Sequence, residues 1–125
     1  MSESYPKKEK LKSQKLIESL FQKGQSVSVY PLRLVYIKDP VTSDSSIKVG
    51  VSVSKRNFKK AVDRNRIKRV LREAYRLNKA SYFNNNTTPL AFMILYIGKD
   101  GIEFDSIDTT MKQLLKKFTD KISED

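Results

Sequence analysis

The 125-residue chain contains no cysteine and no histidine. The first absence excludes disulfides, thiolate metal sites and thiol nucleophiles; the second removes the commonest general base. Glycine and proline number only four each, and 38% of residues are hydrophobic, a balance that suits a globular chain rather than a fibrous or disordered one. No apolar run approaches the roughly 20 residues of a membrane-spanning helix. The start, MSESYPKKEKLK, also lacks the apolar centre of a secretory signal. These absences lead to the expectation of a soluble, cytoplasmic protein with no membrane association and no obligate protein partner. Acidic residues are scarce as well, 14 against 25 Lys and Arg. A carboxylate pair holding Mg²⁺ would be the remaining route to a protein-only nuclease. Asp100, Glu103, Asp105 and Asp108 lie close in sequence, but turn and helix-capping chemistry accounts for them more simply. The expectation is therefore no catalytic residue and no metal site in the chain itself.

What is present is positive charge, and it is unevenly spread. The net charge is +11 and the sequence pI about 9.9. Between Lys55 and Lys79 there are 11 Lys and Arg against two acids, Asp63 and Glu73. Solvated helix faces usually mix signs, and this one barely does. Like charges held so close repel one another, which points to a polyanionic partner.

Hydrophobic periodicity divides the chain into elements. Residues 1–12 are polar and lysine-rich and read as a flexible basic arm, followed by a single domain over 13–122. Ser13 is placed to cap a first helix with an apolar stripe of Leu16, Ile17, Leu20 and Phe21, and Gly24 sits where a left-handed C-terminal cap would go. Leu32 to Lys38 reads as a strand ending at the turn Asp39-Pro40, with a polar loop after it. Ile47, Val49, Val51 and Val53 alternate with Lys48, Gly50, Ser52 and Ser54, the pattern of a half-buried strand with a small-residue open face. That face is either ordinary solvent-facing surface or a shallow floor beside a cationic wall. After the basic stretch, SYFNNNTTP reads as a loop, and LAFMILYI as a strand buried on both faces. Lys99-Asp100-Gly101 is a turn. A last helix follows from about Asp105, with Asp105 or Ser106 as cap and Ile107, Met111, Leu114, Leu115, Phe118 and Ile122 at helical spacing. The fold class is α+β: a small sandwich with helices packed on a sheet.

On a helical wheel at about 100° per residue, Lys68, Arg69, Arg72 and Arg76 fall within roughly 60° of Asn65. Ile67, Val70, Leu71, Ala74 and Asn78 fall on the opposite side. The apolar residues fix the helix to a sheet, and a ridge of cations faces outward. Guanidinium groups bind phosphate through two parallel hydrogen bonds and also stack on bases, so a rigid row of them suits structured RNA. Glu73 is spaced to pair with Arg69 or Arg76 and so to aim a guanidinium. Arg64 lies on the flank, where its stem can reach sideways across the sheet. Asn65 is a neutral donor and acceptor suited to a base edge or sugar hydroxyl, or else it caps the helix start.

Lys55-Arg56, then Ala61-Val62-x-Arg64-Asn65-Arg66-Ile67-Lys68-Arg69, then Arg72-Glu73 closely resembles the RNR signature of the bacterial ribonuclease P protein component. Phe21-Gln22-Lys23-Gly24 and the strand Gly50-x-Ser52-x-Ser54 agree in outline. The resemblance implies the order α-β-β-β-α-β-α on a mixed four-stranded sheet, a ribosomal protein S5 domain 2-like fold with a left-handed βαβ crossover. It also implies a protein that binds the catalytic ribonuclease P RNA and helps it remove the 5′ leader of precursor tRNA, with Mg²⁺ held mainly by the RNA. By resemblance, Lys55, Arg56, Arg64, Asn65, Arg66, Lys68, Arg69, Arg72 and Arg76 contact RNA, and Phe21, Val35, Tyr36 and Ser52 line a groove for the leader. Where many members carry a second aromatic in the first helix this chain has Ile17, which packs but cannot stack on a base.

Two other classes compete. A ribosomal or general structured-RNA-binding protein would share the basic helix. A DNA-binding regulator would place the ridge in a major groove, but a strand rather than a helix precedes the ridge, against helix-turn-helix spacing.

Overall fold

The computed structural model describes residues 14–38, 47–83, 90–99 and 104–124. Along the chain these form α1 (Gln14–Lys23), β1 (Gln25–Val29), β2 (Leu32–Lys38), β3 (Ile47–Val53), α2 (Ala61–Phe83), β4 (Leu90–Tyr96) and α3 (Phe104–Glu124). The order is the expected α-β-β-β-α-β-α. The strands form one mixed sheet in the order β1-β2-β4-β3, in which β1 and β2, and β2 and β4, run antiparallel while β3 and β4 run parallel. No described helix is long and apolar enough to cross a membrane.

β4 owes its unbroken apolar sequence to its place inside the sheet, between β2 and β3. Six of its seven residues are buried and Leu95 is half-buried, because both of its faces are covered. One sheet face carries the larger core. There Val49 and Val53 of β3, Leu34 and Tyr36 of β2 and Phe92 of β4 pack under Ile67, Leu71 and Ala74 of α2 and Met111, Leu115 and Phe118 of α3. The opposite face carries only α1, held by a smaller cluster of Leu20, Val35 and Met93 with Ile17, Ile37 and Leu95 at its margin.

Two local expectations need correction. α2 runs through Ser81, Tyr82 and Phe83 instead of yielding to a loop there. The Phe83 ring packs at 5.9 Å from both Phe92 and Phe118, and burying an aromatic contributes more than the helix end costs. Gly24 does not adopt a positive φ. Glycine is needed there for closeness: a Cβ would collide with the Leu20 carbonyl oxygen and stand 2.9 Å from Val35 Cγ1. The basic arm, the Ser13 cap, the Asp39-Pro40 turn with its loop, residues 84–89 and Asp100, Gly101 and Glu103 lie outside the described residues, as does the Asp105 side chain.

Candidate nucleic-acid interface

The burial of α2 follows the helical wheel. Ile67, Leu71, Ala74, Tyr75 and Asn78 are buried, Val70 is half-buried, and Asn65, Arg66, Arg69 and Arg72 are exposed with Lys68 half-exposed between them. Asn78 is polar on the buried side because its amide is used there: Nδ2 donates to the Ala74 carbonyl at 2.7 Å and to Asp108 Oδ1 at 2.8 Å. Asp108 also meets Lys112 Nζ at 3.3 Å. The hydrogen bond from Asn78, and after it Lys112, hold the Asp108 carboxyl below its usual range against the opposing effect of desolvation. Asp108 is thus a structural acid joining α2 to α3. Among the described residues no group of three or more acidic side chains converges in a way that could hold a metal ion.

The side chains of Lys55, Arg56, Arg66, Lys68, Arg69 and Arg72 form no ion pair or hydrogen bond among the described residues. No described acid cancels their charge, and all are exposed except the half-exposed Lys68. Asn65 lies a full turn inside the helix, which begins at Ala61, so it is not the cap; its amide is exposed on the same ridge. Arg76 differs, since its Nη2 and Nε donate to Glu73 at 2.5 and 3.2 Å. That hydrogen bond draws the Glu73 carboxyl below its ordinary pKa, and the pair makes Arg76 the most internally engaged cation of the ridge.

Arg64 corrects an expectation. Instead of reaching across the sheet it folds back on the loop before α2, where Nη1 donates to the Phe58 carbonyl at 2.8 Å and the Lys59 carbonyl at 2.9 Å. Those carbonyls belong to neither a strand nor the helix, and a guanidinium is a strong donor for them. Further bonds shape the loop: the Phe58 amide donates to the Ser54 carbonyl at 3.1 Å and the Arg56 amide to Ser54 Oγ at 3.1 Å. The Phe58 ring lies 5.8 Å from that of Tyr96. The braced loop presents Lys55, Arg56, Lys59 and Lys60 to solvent. Lys59 and Lys60 escaped the sequence-based set because only the fold shows that this turn continues the ridge.

The sheet face beneath α1 holds the rest. Phe21 is 56% exposed on α1. Ser52 is half-buried on the open side of β3, since Val51 and Val53 point into the larger core. Val35 and Tyr36 do not join them. Val35 is 6% exposed beneath α1, and Tyr36, 1% exposed, points to the other face, where its ring sits 4.9 Å from Phe118 and its hydroxyl donates to Gln25 Oε1 at 3.1 Å. The pleat sends neighbouring residues of β2 to opposite faces, and both faces are covered at that point. The strand register offers a residue the sequence reading missed. Arg33 pairs with Leu95, and Leu95 with Ser52, so an exposed cation stands on the same face as Ser52 one strand beyond Leu95.

Comparison with known proteins agrees with this architecture. The family profile for ribonuclease P matches residues 5–119. The ribonuclease P protein component of Porphyromonas gingivalis is 45% identical over 73 residues, covering 58% of this chain and 53% of that protein. The chain thus spans about half the length of that relative. Those of Chlorobium phaeobacteroides and Petrotoga mobilis are 37% and 30% identical, covering 76% and 92% of this chain and 73% and 95% of the relatives. Among solved structures, the ribonuclease P proteins of Staphylococcus aureus and Thermotoga maritima each superpose with a TM-score of 0.70 at 21% identity. These cover 86% and 87% of this chain and 93% and 96% of theirs, a likeness of fold. With a profile match across nearly its whole length, added to a sheet-backed ridge of outward-facing cations, the chain belongs to the ribonuclease P protein family.

Proposed function

We propose that this chain is the protein subunit of ribonuclease P, which binds the catalytic RNA and assists removal of the 5′ leader from precursor tRNA. The observation that carries the reading is the row Asn65, Arg66, Lys68, Arg69 and Arg72, uncancelled and outward on a helix whose other side is fixed in the core. A rigid array of this kind can meet the phosphates of a folded RNA without having to be ordered on binding. Lys55 and Arg56, on the loop braced by Arg64, extend the array toward β3. The leader lies on the sheet face beside α1, over Ser52 and against Phe21, with Arg33 available to a phosphate.

The chemistry belongs to the RNA. In this reading Mg²⁺ is held mainly by RNA phosphates, and this chain contributes binding and orientation. Reconstitution tests the reading: the protein is added to a bacterial ribonuclease P RNA at low Mg²⁺ and precursor cleavage is followed. Stimulation is expected, with Arg66→Ala and Arg69→Ala reducing it. RNA binding without stimulation would assign the chain to general structured-RNA binding instead.

A further inference from the structure

A second exposed feature lies at one end of the sheet. Tyr30, in the turn between β1 and β2, is 71% exposed and has no hydrogen bond or ring contact among the described residues. Its ring is thus an accessible aromatic face, able to stack on a planar group brought to it. Its neighbour Pro31 accepts a hydrogen bond from the Ile97 amide at 2.8 Å, and Ile97 is itself 39% exposed. Next to Ile97, Gly98 is buried so tightly that a Cβ would stand 3.1 Å from Pro31 Cβ, and its carbonyl accepts from Asn57 Nδ2 at 3.4 Å. Asn57 belongs to the cationic loop. The Tyr30 turn, the end of β4 and that loop are therefore tied together at one end of the sheet, where Arg56, Lys59 and Lys99 are exposed.

We propose that Tyr30 is a stacking platform for an unpaired RNA base, with Arg56, Lys59 and Lys99 gripping the flanking phosphates. The inference rests on the proposed RNA-binding role and extends it to a single-stranded segment. An aromatic face beside a basic groove is how proteins hold single-stranded nucleic acid with little sequence preference, because every base offers a π-face. The charge of the neighbouring loop selects RNA over an apolar peptide as the occupant: between Lys55 and Arg72 the only acid is Asp63.

The test titrates the full chain into a short single-stranded oligoribonucleotide carrying 2-aminopurine, whose fluorescence falls when the base stacks. Wild type and Tyr30→Phe should quench it alike. Tyr30→Ala should lose the quench and bind on the order of 5- to 100-fold more weakly, the effect of one lost base–aromatic stack. A wild type that fails to quench, or a Tyr30→Ala protein that binds and quenches as wild type does, overturns the proposal. An unchanged thermal midpoint of the variant separates lost stacking from lost folding. Cleavage is not the readout, so Tyr30-dependent quenching without stimulation of the ribozyme would sink the subunit assignment and leave this site standing.

Discussion

Asn78 of α2 holds Asp108 of α3 across 2.8 Å while its amide also donates to the Ala74 carbonyl one turn back. This clamp fixes the roll of α2 relative to α3, and so determines which residues of the helix face outward. Replacing Asn78 by Leu keeps the branched shape but removes both bonds, and should lower the unfolding free energy by about 1–3 kcal/mol. Urea denaturation measures this directly. An unchanged midpoint would mean the clamp is idle.

The same contact gives stability an acid limb. Asp108 is held below its unfolded carboxyl pKa, about 3.9, so its contribution is fully present above that value and is lost as pH falls through the lower folded one. Melting temperatures recorded from about pH 5 down to about pH 3 should therefore converge for wild type and Asp108→Asn. Parallel curves would show that the carboxylate contributes nothing. Glu73 is also depressed but exposed, and should add little to this limb.

Cations of one ridge should not be equivalent in binding. Arg66→Ala, Arg69→Ala and Arg72→Ala remove unpaired exposed charges, and each should make the slope of log affinity against log salt shallower by about 0.7–0.9. Arg76→Ala should change it less, because Glu73 already engages that guanidinium. A set of four equal slopes would remove the distinction.

Arg64 acts through the loop it supports. With Arg64→Ala the Phe58 and Lys59 carbonyls lose their donor, and hydrogen exchange at residues 56–60 should accelerate while the β4 amides stay protected. Arg64→Lys should restore part of the protection through one ammonium in place of the guanidinium. Uniform exchange in all three proteins would show the bracing to be without effect.

Where one covered face dictated the residues, the sequence was a faithful guide. The alternation of β3 and the wheel of α2 each reflect one side buried against the core, and the unbroken apolar run of β4 reflects a central strand with no open face. The sequence misled on which face a given residue of a doubly covered strand takes. β2 is covered on both sides, so no alternation marks its faces, and Tyr36 could be assigned to a groove when it sits against Phe118. The helix end was misjudged for a related reason: Phe83 looks like a loop residue until the rings of Phe92 and Phe118 come within reach. Arg64's carbonyl partners follow from the path of a loop, which periodicity does not encode.

The unequal covering of the sheet leaves the molecule with two thresholds rather than one. Three helical or strand residues, Leu20, Val35 and Met93, secure α1, whereas the stack beneath α2 and α3 interlocks many rings and branched chains. The amino-terminal helix should therefore open locally before the body that carries the arginines does, which earlier hydrogen exchange of its amides would register.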